Sequence, residues 1–298
     1  IHYVGHLSGH GDRLSSKGRL ETGAGNADIQ LSKNGKNIQA KIATKGIALD
    51  RILANKTFGQ VATTIEVKGN KDHLVAKGEI SRFDYNKYSF RNISLDGQYN
   101  HGIVKGLASI DDPNIRVDIE GNYAIKGNKY AINTHIDHLQ PSILGVKMAD
   151  KDYSLDDIDL SANNQSSDSY LDLEAPFMSL HARGQYNLST LVSSIQNMIA
   201  EKLPTLPGIK KTKAKGDNDF TLQGNIYSTE VLNKILGIPL AISSPIHING
   251  NMSEQSNELN LYLSAPLFSY NGKPFHNGNV ELTTQANALN LEARITLG

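Results

Sequence analysis

Segment after segment of this chain alternates apolar with polar residues at a period of two. Ile115, Val117 and Ile119 are interleaved with Arg116, Asp118 and Glu120, and Leu259, Leu261 and Leu263 with Asn260 and Tyr262. Successive side chains of a strand point to opposite faces, so each run predicts a strand with one apolar and one polar side. The pattern recurs at Ile38 to Ile42, Ile65 to Val67, Ile93 to Leu95, Tyr130 to Ile136, Ile158 to Leu160, Ile246 to Ile248, Val280 to Leu282 and Leu289 to Leu297. Turn signals such as Lys33-Asn34-Gly35, Lys126-Gly127-Asn128 and Asn271-Gly272 separate many of these runs.

Helical patterns are few. One is expected from Ser189 to Leu203, with Leu191, Ile195, Met198 and Ile199 on one face and Pro204 ending it; two short ones are expected near Leu49 to Ala54 and Thr229 to Leu236. So few helices do not cover this much sheet. The apolar side must fold over on itself, be covered by neighbouring copies, or hold something that is not protein.

The chain also echoes itself. Leu49, Ile52 and Leu53 correspond to Leu232, Ile235 and Leu236 at an offset of 183, and Ile65 and Val67 to Ile246 and Ile248 at 181. Phe83-Asp-Tyr85-Asn86 corresponds to Phe268-Ser-Tyr270-Asn271 at 185, and Ile93 and Leu95 to Val280 and Leu282 at 187. Order and spacing are both kept, which is the mark of a tandem repeat, residues 45–100 matching 228–298. A shorter echo joins Pro113, Gly121 and Tyr123 with Pro176, Gly184 and Tyr186. Growth by adding similar strands predicts one continuous, quasi-one-dimensional object over residues 1–298.

The two aromatic segments, Phe83 to Phe90 and Phe268 to Phe275, use four of the chain's 7 phenylalanines. Asn271-Gly272 is a strong hairpin signal, and it aligns with Asn86-Lys87. A two-residue turn there sets Tyr85 opposite Tyr88, Phe83 opposite Phe90 and Phe268 opposite Phe275. The odd number of steps from Phe90 to Ile93 and from Phe275 to Val280 predicts a bulge or bend near Asn92 and Asn277.

Composition narrows the functional classes. Lys plus Arg and Asp plus Glu are both 30, and no long single-sign run is present, so nothing points to a nucleic-acid partner. With no cysteine there is no disulfide, thiolate metal site or cysteine nucleophile. No apolar run reaches the roughly 18 residues of a membrane-spanning helix, and a start at Ile1 is expected of a piece of something longer.

Residues with chemical potential have plain readings. His2, His6 and His10 are expected on one face of a strand, roughly 13 Å apart at neighbouring positions, too far to share an ion. His135 and His138 are expected to point to opposite faces. Asp152, Asp156, Asp157 and Asp159 lack the glycine of an EF-hand-like loop. No nucleophile elbow, phosphate loop or dinucleotide fingerprint occurs, so no catalytic residue, metal site or cofactor is expected.

The apolar side remains the candidate site. Its expected lining is Ile65, Val67, Ile93, Leu95, Ile115, Val117, Ile119, Ile246, Ile248, Leu259, Leu261, Leu263, Val280 and Leu282. Two acyl chains with about 30 CH₂ groups leave a bilayer against on the order of 20 kcal/mol, so only a long, continuous apolar surface offsets that. The same alternation also fits an ordinary dry sandwich core, and periodicity does not decide between them.

The chain resembles the TamB family of cell-envelope proteins, within the AsmA-like group, and especially the large TamB-like proteins of Bacteroides-type bacteria. The residues that carry this are Gly9-His-Gly-Asp12 with Gly18-x-Leu20-x-Thr22-Gly23, Phe83-Asp-Tyr85-Asn86 running into Asn92-Ile93-x-Leu95-x-Gly97-x-Tyr99, and Asp112-Pro113-Asn114 with Gly121. The segment Ile235-Leu-Gly-Ile-Pro239-Leu-x-Ile-Ser-Ser-Pro245-Ile-x-Ile-x-Gly250 is similar to segments that recur in AsmA-like proteins. The resemblance implies a mainly β fold: an elongated, curved, antiparallel-rich sheet folded into an apolar trough, with a few short helices. It further implies a non-enzymatic segment, in the periplasm of a Gram-negative bacterium, of an inner-membrane-anchored bridge that carries phospholipid acyl chains toward the outer membrane. An alternative function is a scaffold that assists outer-membrane protein insertion with a TamA-like barrel partner. A surface adhesin is a third reading, disfavoured by the absence of Ser/Thr-rich stalks and calcium-binding nonapeptides.

Overall fold

The computed structural model describes residues 1–146, 148–165, 169–202, 216–285 and 288–297. The protein is mainly β: the described residues form twenty strands, paired antiparallel, and a few short helices. Two compact units share the chain, Ile1–Lys147 with Lys151–Asp156, and Met148–Asp150 with Asp157–Gly298.

The first unit is a meander. Strands β1 (His2–His10), β2 (Arg13–Thr22), β3 (Gly25–Asn34) and β4 (Asn37–Ala48) lead into the one-turn helix α1 (Leu49–Leu53). Then follow β5 (Phe58–Gly69), β6 (His73–Tyr85), β7 (Tyr88–Phe90), β8 (Ile93–Asn100), β9 (Ile103–Asp112), β10 (Ile115–Ala124) and β11 (Lys129–Leu139). Each strand pairs with the next, except that β6 pairs with both β7 and β8.

The aromatic hairpin has the expected register. Tyr85 faces Tyr88 and Phe83 faces Phe90, and Asn86 and Lys87 adopt φ of 49° and 70°, the left-handed pair that a two-residue turn with the right twist demands. Asn92, at φ 51°, makes the bend between β7 and β8. This hairpin closes one end of the unit. Phe90, Ile115, Val117 and Ile143 are buried together, with Phe83, Tyr85, Tyr88, Ile93, Ile110, Ile136 and Leu139 packed against them. Ile143 comes from a 3-10 turn, Pro141–Leu144, whose Leu144 carbonyl accepts from Asn86 Nδ2 at 2.9 Å. Asp112, only 2% exposed, accepts from the Tyr88 hydroxyl, the Arg91 N–H and the Asn114 N–H, so this buried carboxylate is fully engaged.

The second unit begins within β12 (Leu155–Asn163) and continues through β13 (Tyr170–Ala175), β14 (Met178–Gln185), helix α2 (Leu188–Lys202) and β15 (Asp219–Ile226). Helix α3 (Glu230–Leu236) and the short β16 (Leu240–Ile242) precede β17 (Ile246–Ser253), β18 (Glu258–Tyr270), β19 (Lys273–Gln285) and β20 (Ala288–Leu297). The ladder runs β12 to β15, then β17 to β20, with β16 paired to β18. Phe268 faces Phe275, their rings stacked at 5.2 Å, and Asn277, at φ 53°, marks a register shift.

All three helical segments expected from sequence are present, close to their expected limits. Within the longest, Met198 is buried and Leu191 half-buried; the side chains of Ile195 and Ile199, and residues Leu203 and Pro204, lie outside the described set. Helix α2 is tied down by polar groups. Buried Asn218 donates to Ser194 Oγ at 3.1 Å and to Glu254 at 3.0 Å, and Glu254 also accepts from the Asn218 N–H.

Residues 45–100 and 228–298 both run helix, strand, long strand, two-residue turn, bend, strand, the second with the short β16 added after its helix. The shorter echo also has a structural counterpart, since Pro113 and Pro176 each open a two-residue hairpin turn, β9 to β10 and β13 to β14.

Candidate functional site

Because facing residues of an antiparallel pair share a side of the sheet, the register decides whether the alternation of separate strands adds up to one surface. In the first unit it does. A row runs through Gly18, Ile29, Ile42, Ile65, Gly78, Leu95, Ala108 and Ile119, each directly opposite the next, from β2 to β10. Beside it, Leu31, Ala40, Val67, Ala76, Gly97, Gly106, Gly121 and Ile132 form a second row. A third row, Ile80, Ile93, Ile110, Val117 and Ile136, leads into the aromatic cluster.

The second unit repeats the device. Leu160, Leu173, Leu180, Gly224, Ile248, Leu263, Val280 and Ala293 make one row, and Ala162, Leu171, Ala182, Leu222, Gly250, Leu261, Leu282 and Leu291 the next. At the end of this face Phe220, Met252 and Leu259 face one another, and Met252 is 1% exposed.

The fourteen expected lining residues all fall on these apolar faces, but their surroundings differ. Ile115, Val117 and Ile246 are buried. Ile65, Val67, Ile93, Ile248, Leu259, Leu261, Leu263 and Leu282 are half-buried. Leu95, Ile119 and Val280 are exposed, at 38%, 36% and 36%, as are Ile42 and Leu291 in the same rows. Each face therefore grades from a dry part, where the chain packs on itself, to a wet part, on the interior strands β4, β8 and β10 of the first unit and on β19 and β20 of the second. Contributions from β3, β13 and β14 were not singled out in the sequence, although Ala27, Ile29 and Leu31 alternate there as elsewhere.

The opposite face of the first unit is laced by cross-strand ion pairs: Arg19 with Asp28, Lys41 with Glu66, Lys77 with Asp96 and Arg116 with Asp137. The Lys41 ammonium, by hydrogen bond and charge, holds the Glu66 carboxyl below its ordinary range. Such exposed pairs add little stability and much solubility. His2, His6 and His10 lie on β1, on this polar side.

His135 and His138 require a correction. They do not point to opposite faces, because a register shift between Arg116 and Val117 leaves Asp137 as an extra residue in β11, and His138 faces Arg116 while His135 faces Asp118. A bulge adds one residue to the count and restores both histidines to the polar side. His138 Nδ1 lies 2.7 Å from Asp156 Oδ1.

No helix among the described residues is long and apolar enough to cross a membrane. No protein-family model, curated protein or solved structure matches the chain.

Proposed function

We propose that this chain is a segment of a TamB-like bridge in the periplasm of a Gram-negative bacterium, and that its apolar faces hold phospholipid acyl chains. The observation that carries the reading is the pair of apolar faces in strict cross-strand register. Each leaves Leu, Ile or Val side chains open to solvent, on interior strands in the first unit and on β19 and β20 in the second, where an ordinary domain covers them with a second layer. Contiguous exposed apolar surface of this kind marks a binding face. Acyl methylene groups are worth about 0.8 kcal/mol each when taken from water, and a face of many rows supplies continuous contact along them. In this reading the segment is not an enzyme, and contacts with an outer-membrane barrel belong to other parts of the longer protein. Native mass spectrometry of the purified chain, with lipid extraction, tests it: copurifying phospholipid is expected, and a chain free of lipid that also takes up none from vesicles would overturn it.

A second reading, a scaffold that pairs its edge with a nascent strand, is favoured by β1. All nine of its residues are exposed, and among the described residues it pairs with β2 alone. It carries no Lys, Arg, Asp, Glu or Pro, the residues that usually blunt an edge. Crosslinking from Val4 that captures polypeptide would support this reading, and capture of lipid alone would count against it.

A further inference from the structure

We propose that the polar side of β17 to β20 is a glycan-binding surface, for an oligosaccharide of neutral or amine-bearing hexoses. The register sets Asn249, Tyr262, Glu281 and Glu292 in one cross-strand row, and His247, Ser264, Asn279 and Arg294 in the row beside it. These side chains line a shallow cavity of about 320 Å³, at the small end of the range for small-ligand sites and large enough for one or two sugar rings.

The chemistry of the two rows suits a sugar. A hexose presents hydroxyl groups around its rim and C–H groups on its ring face. Asn amides both donate and accept, carboxylates accept, a guanidinium donates, and an aromatic ring offers the flat apolar partner for the C–H face. Tyr262 is 44% exposed and stands at the centre of the array, between Asn249 and Glu281.

Sheet stability gives no reason for this arrangement. Asn and Glu are poor strand residues, and Glu281 directly faces Glu292, a like-charge pair that costs stability. Arg294 binds Glu292 at 2.8 Å and so offsets only part of that charge. Local rules broken together in one place are a sign of a site. With two carboxylates and one guanidinium, the surface repels polyanions and accepts neutral or cationic rings. The named polar side chains lie on the opposite side of the sheet from the acyl-chain face; Ile248, Leu263 and Val280, which alternate with them along the same strands, also border the cavity.

The test is isothermal titration of the full chain with β-1,4-linked N-acetylglucosamine tetrasaccharide and with maltotetraose, followed by the same titration of two variants. Binding of at least one sugar is expected with Kd on the order of 1 mM or tighter. Tyr262→Ala should weaken it about tenfold or more, while Tyr262→Phe, which keeps the ring, should stay within about threefold. Unchanged far-UV circular dichroism checks that the exposed substitution leaves the fold intact. Absence of heat with both sugars at about 10 mM, or a Tyr262→Ala variant that binds as tightly as the parent chain, would overturn the proposal.

Discussion

The two units share one side and differ on the other. Both present apolar rows in register, and both contain the hairpin with paired phenylalanines and a left-handed Asn at its bend. Their polar sides diverge. The first unit pairs lysine and arginine with carboxylates on strand after strand; the second has such pairs too, Arg183 and His181 with Asp172 and Arg294 with Glu292, but sets amide contacts among them, such as Asn225 with His247 at 2.7 Å and Asn251 with Asn260 at 3.2 Å. What the two units share is therefore the apolar side and the device that turns the chain. What they leave free is the surface that meets water, which each unit spends differently.

A second contrast runs within each face, between its dry and its open part, and substitutions along it separate the two. The largest effect is expected for Val117→Glu. Its side chain is 8% exposed within the Phe90 cluster, so a carboxylate there is buried without a partner and should cost about 3 to 5 kcal/mol or unfold the unit. Leu95→Glu, in a neighbouring row but 38% exposed, should cost no more than about 1 kcal/mol. Denaturant titration of the two variants reads the difference directly, and equal losses would erase the distinction between the dry and the open part.

Met252→Ala carries the same contrast into the second unit. At 1% exposure its loss should cost about 2 to 5 kcal/mol, while Leu291→Ala, 66% exposed, should fall within about 1 kcal/mol. Thermal melts of both variants check this.

The polar fastening of α2 should show a pH dependence. Burial pushes the Glu254 carboxyl up, but hydrogen bonds from Ser194, Asn218 and Gly216 outweigh burial and hold it below its ordinary value of 4.5. A carboxylate depressed in the folded state contributes stability above its unfolded pKa and loses it as pH falls through the folded one. Glu254→Gln should therefore lower stability near neutral pH and converge with the parent chain as the pH falls through the carboxyl's depressed folded-state pKa. Denaturation midpoints between neutral and acidic pH test this, and parallel curves would remove Glu254 from the account of α2.

The smallest effect is expected at Gly97, with Gly224 as its contrast. A Cβ on Gly97 meets nothing nearer than 3.8 Å, so Gly97→Ala should be neutral or stabilising by about 0.5 kcal/mol. Gly224, its counterpart in a row of the second unit, has the Ser179 carbonyl oxygen against that position, and Gly224→Ala should destabilise. Matched melting curves of the two variants show which glycine row lies open.

Much of this was legible in the sequence. Alternation located strands at Ile65, Ile93, Ile115, Ile246 and Val280, and Asn86-Lys87 with Asn271-Gly272 set the hairpin register, because a two-residue turn leaves no freedom in pairing. The bends at Asn92 and Asn277 followed from counting steps. The bulge at Asp137 did not, since an extra residue changes the face of His138 without any special residue type to announce it. Nor did the difference between Val117 and Leu95. Both alternate in the same way, and the aromatic hairpin and the distant 3-10 turn, which bring Phe90 and Ile143 into one cluster with Val117, make one dry and leave the other wet. The array around Tyr262 was equally hidden, because it is assembled across four strands and no single strand contains it.

Site-specific photocrosslinking at two adjacent positions tests the acyl-chain reading most directly. Leu95 and Ser94 are one residue apart on β8, with Leu95 on the apolar row and Ser94 on the opposite side, facing Ser109. With a photoreactive phenylalanine at either position and phospholipid vesicles present, mass spectrometry should find lipid adducts at 95 and none at 94. Adducts at neither position, or equally at both, would contradict a face built to hold acyl chains.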